Sequence, residues 1–219
     1  MAKRLPFSVA KAEAHLAAAD PVLAELIAEA GPYKPRPGDG AAYDWLVRTI
    51  LFQQLAGSAA RAIQRKWYAL YSDDGARTPT AQEILETSDE EFRESGVSRQ
   101  KAGYLRDLAA HVADDRLDFD ALHAMPDDEV TRALTAVHGV GEWSAHMFLL
   151  FYMGRPDVMP VGDYGVRHGM QIAYGLDKLP TPAQAREIGA RWAPYRSVGS
   201  WYMWRATERV VEKARDRRA

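Results

Sequence analysis

The stretch AVHGVGEWSAH, residues 136–146, sets two glycines one residue apart between two apolar segments. PDDEVTRALTAV (126–137) precedes the pair and EWSAHMFLLFYMG (142–154) follows it, both with helical spacing of their apolar positions. Glycine inside a helix is unfavourable by about 1 kcal/mol relative to alanine. The pair therefore marks a turn, and one too short for an ordinary loop, so the two helices form a hairpin. Gly139 is expected to end the first helix in a left-handed conformation. Gly141 is expected to open the second, where the missing side chain lets a ligand approach the backbone. The N–H groups of that first turn, at the positive end of the helix dipole, suit an anion such as phosphate. A helical hairpin with no ligand satisfies the same spacing.

The rest of the chain is written in the same helical period. SVAKAEAHLAAADPVLAELIAEAG runs from a capping Ser8 to Gly31, and Pro21 divides it into two helices. PYKPRPGDG (32–40) reads as a linker. AAYDWLVRTILFQQLAG (41–57) carries Tyr43, Leu46, Ile50 and Leu51 on one stripe, and SAARAIQRKWYALYS (58–72) opens on Ser58. TAQEILET, SDEEFRES and SRQKAGYLRDLAAHVAD each begin on Ser or Thr, which suits a helix N-terminus. DYGVRHGMQIAYG (163–175), TPAQAREIGARWA (181–193) and a segment from about 195 to 215 complete the series. Strand signals are nearly absent. The expected fold is all-α, with two helical lobes and an active-site cleft between them. Residues 1–40 with 155–219 form one lobe, and 41–154 form the other, carrying the hairpin at about 126–154.

Composition removes several classes of function. The chain has no cysteine, which excludes disulfides, thiolate metal sites and a cysteine nucleophile. No apolar run reaches the roughly 18–20 residues that span a bilayer, and charges interrupt the apolar N-terminal stretch, so a cytoplasmic location is expected, at the nucleoid in a bacterium. The formal net charge of −2 argues against nucleic-acid binding through bulk charge. The charge is uneven, however. Acids crowd 114–129, whereas Arg99, Lys101 and Arg106 form one basic stretch, and Arg196, Arg205, Arg209, Lys213, Arg215, Arg217 and Arg218 mark another. Histidines occur singly, without metal-ligand spacing, and no serine-hydrolase elbow or nucleotide-binding phosphate loop occurs.

GRPDVMPVGDYGVRHG follows the hairpin, and in it Pro160 and Gly162 frame Asp163 at the start of a helix. Such an aspartate can serve as a cap or as a stiffly held carboxylate at a site. LTAVHGVGEWSAHMFLLF with DVMPVGDYGVRHG resembles the hairpin, Gly/Pro-rich loop and aspartate of the helix-hairpin-helix superfamily of DNA glycosylases. ILFQQLAGSAARAI (50–63), SGVSRQKAGYLRDLA (95–109) and RWAPYRSVGSWYMWR (191–205) are similar to its alkylation-repair branch, the 3-methyladenine DNA glycosylase II family. The form is compact, without that branch's N-terminal sheet domain.

The resemblance implies a monofunctional enzyme that flips alkylated purines such as 3-methyladenine out of double-stranded DNA and hydrolyses their glycosidic bond, leaving an abasic site. It implies Asp163 as the catalytic carboxylate, and Trp143, Met147 and Trp204 as walls of the base pocket. Aromatic faces suit an alkylated purine because it is cationic. Trp143 occupies the place of the lysine that forms a Schiff base in strand-cleaving relatives. Gln53, Gln54 and Leu55, at the start of the Gln-rich helix, are implied to face DNA, with Gln54 filling the gap that base flipping leaves. His138, Gly139, Val140, Gly141 and Ser144 are implied to hold a backbone phosphate. The carbonyls of Thr135, Val137 and Val140 are implied to hold a Na or K ion. No cofactor is required, and the enzyme acts as a monomer. Three other readings stay open: a non-catalytic hairpin module that binds DNA, a glycosylase for oxidised or deaminated bases, and a strand-cleaving lyase.

Overall fold

The helices begin and stop where small polar side chains and turn residues dictate. The computed structural model of the chain describes residues 5–35 and 40–216, with 209–216 by their backbone alone. The side chains of Arg209, Lys213 and Arg215, all of Arg217 and Arg218, and linker residues 36–39 lie outside the described residues. The described residues hold helices and no strand. They fall into two compact units, 1–37 with 149–219, and 38–148.

The first unit contains α1 (Val9–Ala19), α2 (Pro21–Ala30), α11 (Tyr164–Ala173), α12 (Pro182–Gly189) and α13 (Arg196–Asp216). Ser8 caps α1, and Asp20 separates α1 from α2 by capping the latter through Val22 N–H at 3.0 Å. Asp20 is buried and also accepts from Trp192 Nε1 and Tyr174 Oη, so every donor brought to it is matched. Leu16, Leu23, Val166, Met170, Trp192, Val198 and Tyr202 pack around these bonds as the unit's core. α11 lies along α13, and a Cβ at Gly169 would stand 2.0 Å from the Met203 carbonyl oxygen. Only glycine allows that approach.

The second unit contains α3 (Ala42–Phe52), α4 (Gly57–Tyr68), α5 (Ala81–Glu86), α6 (Asp89–Ser95), α7 (Arg99–Ala113), α8 (Phe119–Leu122), α9 (Asp127–Thr135) and α10 (Glu142–Met147). Thr80 and Ser88 form capping boxes with Glu83 and Glu91, and Ser98 caps α7. Three expectations need correction. The helix expected over 41–57 stops at Phe52, because Gln53 turns out of the helical region at ψ 131° and Gln54 follows at φ +56°. α4 opens on Gly57, with Ala56 rather than Ser58 at its N-terminal boundary. The apolar run after α10 is a π-helical turn, Phe148–Met153.

In the hairpin, α9 ends at Thr135, and Ala136 stays in the right-handed region. Gly139 therefore does not terminate the helix, as its sequence position suggested. It lies in the turn at φ +90°, flat against the ring of Tyr104 from α7, and a Cβ there would stand 2.2 Å from Cγ of that ring. His138 packs edge-on against the same ring at 4.8 Å, and its N–H donates to Asp107 Oδ2 at 2.7 Å.

Gly139→Ala should be strongly destabilising, since it combines a left-handed alanine with overpacking against an aromatic face. The expected loss is about 3 kcal/mol of unfolding free energy, read by urea denaturation. A midpoint within experimental error of the parent would refute the flush contact.

Candidate active site

Asp163 is the N-terminal cap of α11. Its Oδ1 accepts from Val166 N at 2.8 Å and from Trp204 Nε1 at 2.8 Å. Its own N–H donates to the Pro160 carbonyl at 2.9 Å, which closes the turn that carries it into the helix. The residue is only 8% exposed. A Cβ at Gly165 would fall 2.7 Å from Trp204 Cδ1 and 3.1 Å from Asp163 Oδ1, so the bare glycine lets the indole reach the carboxylate. Trp204 packs on Phe151, with centroids 5.5 Å apart and planes at 31°. Beside the carboxylate, Tyr164 is 63% exposed and stacks on His168 at 5.4 Å. A carboxylate fixed in this way can stabilise a neighbouring cation and orient a water without reorganising.

In the unit 38–148, a cavity of about 630 Å³ lies between α3 and the hairpin. Of the residues expected from sequence, Gln53, Gln54, Gly139, Gly141, Trp143, Ser144 and Met147 line it. Trp143 is half-exposed, while Met147 and Ser144 are buried. Leu55 and His138 are exposed and stand outside its lining. Sequence reasoning missed Trp45, Arg48, Thr49 and Phe52, which complete the wall. Their signal is the i, i+3, i+4, i+7 spacing of a second face of α3, overshadowed by the apolar stripe that forms the core.

Gln53 and Gln54 follow α3 rather than starting a helix, and they diverge. Gln53 Nε2 donates to the Gly139 carbonyl at 2.9 Å, tying the turn to the hairpin. Gln54 is exposed in the left-handed region, a conformation costing a non-glycine residue about 1–2 kcal/mol. Lys101 Nζ donates to the Leu51 carbonyl at 2.6 Å and so satisfies the end of α3; burial pulls its pKa down.

The hairpin turn closes by Val140 N–H to the Val137 carbonyl at 3.0 Å, and both valines are buried. Gly141 is extended, and nothing lies within 4 Å of where its Cβ would be. No side chain caps α10. The carbonyls of Thr135, Val137 and Val140 belong to this hairpin. That of Val137 already accepts one bond and keeps a second lone pair. Among the described residues no cluster of His, Asp or Glu could hold a metal ion.

Tyr152, Trp192 and Tyr202 are buried. His146 lies 3.7 Å from Glu142, and burial pulls its pKa down.

Comparison with known proteins gives this geometry a family. Residues 47–194 match the model of the HhH-GPD superfamily base excision DNA repair proteins. The chain is 30% identical over 204 residues to DNA-3-methyladenine glycosylase 1 of Schizosaccharomyces pombe, covering 92% of this chain and 89% of that protein. A crystal structure of a DNA-3-methyladenine glycosidase from Bacillus halodurans superposes with a TM-score of 0.83 at 34% identity, covering 94% of each chain. The Schizosaccharomyces pombe 3-methyladenine DNA glycosylase in complex with abasic DNA superposes with a TM-score of 0.78 at 30% identity, over 89% of this chain and 95% of that one. The chain belongs to the HhH-GPD superfamily of base excision DNA repair proteins.

Proposed function

We propose that this protein is a monofunctional DNA glycosylase that flips alkylated purines such as 3-methyladenine out of duplex DNA and hydrolyses their bond to deoxyribose, leaving an abasic site. The observation that carries the reading is the Asp163 carboxylate, buried yet held at the head of α11 by Val166 N–H and the Trp204 indole. The names of the relatives support the base class.

The chemistry follows from charge. As the glycosidic bond breaks, positive charge grows on the sugar, and a fixed carboxylate lowers the barrier. The same group orients the attacking water and takes its proton. An alkylated purine leaves without an acid because it is already cationic. Trp143 and Met147, which line the cavity of the unit 38–148, receive the base. With an indole at 143, that position offers no amine for a Schiff base, so the strand is left intact. Backbone N–H groups at Gly139, Gly141 and Ser144 grip a phosphate, where Gly141 leaves open space and the Val140 N–H is spent within the turn. A Na or K ion suits the carbonyls of Thr135, Val137 and Val140, which are hard oxygen donors, and would stiffen the turn. Gln54 fills the gap left by the flipped base, and its strained backbone belongs to that task. The partner is duplex DNA, and the protein acts as a monomer in the cytoplasm. Among the described residues no helix is long and apolar enough to cross a membrane.

Asp163→Asn keeps a side chain that caps a helix equally well and removes the charge. Base release from a 3-methyladenine duplex should fall at least about a hundredfold, with DNA affinity and unfolding midpoint retained. Undiminished release would refute the role of Asp163. Borohydride should trap no covalent DNA adduct with the parent protein.

Gln54→Gly should raise stability by about 1 kcal/mol by relieving the left-handed strain. Excision should drop by roughly tenfold, since the cost of flipping is no longer offset. Excision equal to the parent's would remove Gln54 from that role.

A further inference from the structure

The turn between α9 and α10 has a carboxylate bonded to it. Asp107 of α7 accepts the His138 N–H on Oδ2 at 2.7 Å, and His138 directly precedes Gly139. A negative charge next to a phosphate grip repels the ligand. An acid at this place therefore needs a role that outweighs its repulsion.

Asp107 is itself held in place. The buried His111, one turn further along α7, sets Nδ1 2.9 Å from the Asp107 carbonyl oxygen and 3.4 Å from its Oδ2. Arg116 meets the other ring nitrogen, Nε2, at 3.0 Å. A guanidinium only donates, so Nε2 is the acceptor and Nδ1 carries the proton, turned toward Asp107. One turn before Asp107, the Tyr104 ring meets Gly139. One face of α7 thus fixes two adjacent residues of the turn. The consequence is an alternation along the hairpin backbone. The N–H groups of His138 and Val140 are spent, on Asp107 and on the Val137 carbonyl. Among the described residues those of Gly139 and Gly141 make no hydrogen bond.

We propose that Asp107 is a positioning residue for the phosphate grip. By taking up the His138 N–H it locks the turn in the form that leaves the Gly139 and Gly141 N–H groups unspent. It acts on DNA affinity and not on bond cleavage. The proposal rests on the glycosylase reading for its ligand, a phosphate of the DNA backbone.

The test separates charge from geometry. Among the described residues Asp107 Oδ1 makes no hydrogen bond, so in Asp107→Asn the amide oxygen can stand at Oδ2 and the NH2 group at Oδ1. Asp107→Ala removes charge and acceptor together. The readouts are Kd for an undamaged duplex over a salt series, and the single-turnover rate of 3-methyladenine release from methylated duplex at saturating protein. If the acid acted through its charge alone, both variants would bind DNA more tightly. Positioning gives opposite signs. Asp107→Ala should bind about tenfold more weakly, the scale of one charge-assisted bond, with the salt dependence reduced by about one phosphate contact. Asp107→Asn should bind at least as tightly as the parent. The loss in Asp107→Ala should lie in KM and not in kcat. Should Asp107→Ala not fold, Asp107→Glu replaces it. That variant keeps the charge and displaces the oxygens by one methylene, so weaker binding supports positioning and parental binding overturns it. The proposal also fails if Asp107→Ala binds as tightly as the parent, if Asp107→Asn binds as weakly as Asp107→Ala, or if the saturated rate falls at unchanged Kd. A parent that binds duplex and releases no base sinks the glycosylase reading, and the affinities of the variants still decide this proposal. A parent that binds no duplex overturns both.

Discussion

One oxygen atom, Asp163 Oδ1, takes a backbone N–H from α11 and an indole N–H from α13, each at 2.8 Å. A carboxylate this far out of water is stabilised only if donors replace the lost hydration. Each charge-assisted bond contributes roughly 1.5–3 kcal/mol, so the bonds that aim the group are also those that make its burial tolerable. They exist because α11 has no side chain at Gly165 or Gly169, where a Cβ would collide with Trp204 or with the Met203 backbone. Helix packing, indole placement and carboxylate orientation are thus one constraint. Trp204, expected on sequence to wall the base pocket, donates its indole N–H to the carboxylate.

The unit 38–148 is organised by one face of α7. Lys101, Tyr104 and Asp107 stand three residues apart, close to one helical turn. Lys101 satisfies the end of α3, Tyr104 is the surface on which Gly139 rests, and Asp107 accepts from His138 N–H. Gln53 then links the turn after α3 to the hairpin through the Gly139 carbonyl. The strained Gln54 therefore follows directly on two anchors, at Leu51 and Gln53, and its backbone conformation is set by neighbours rather than by its own preference.

What was legible in the sequence were the local signals. Ser8, Thr80, Ser88, Ser98 and Asp163 cap the helices they precede, and Pro21 divides α1 from α2. These signals act within one turn of chain, so they need no tertiary information. The turn at 53–56 was not legible, because glutamine and leucine are good helix formers and the Lys101 and Gln53 bonds that hold the turn come from distant segments. The termination assigned to Gly139 failed for a similar reason. Its positive φ serves contact with a ring thirty-five positions earlier in the chain, which no local pattern encodes. The π-helical turn at 148–153 is hidden in a run that is apolar at every position, where periodicity has nothing to register. The face of α3 carrying Trp45, Arg48 and Phe52 was visible as spacing, but spacing does not say whether a second apolar face meets core or cavity.

Capping alone does not single out Asp163, because Asp20 caps α2 in the same unit. Asp20 is 1% exposed, and its two oxygens are spent on Val22 N–H, the Tyr174 hydroxyl and the Trp192 indole. Its donors include the largest fully buried ring of that core, so it belongs to the interior. Asp163 is less deeply enclosed and leads directly into Tyr164, which stands out in solvent beside it. Serine, threonine and asparagine cap a helix as well as aspartate does, so capping leaves the identity of residue 163 open. Under the proposed glycosylase reading, the charge at that place serves the chemistry on the sugar.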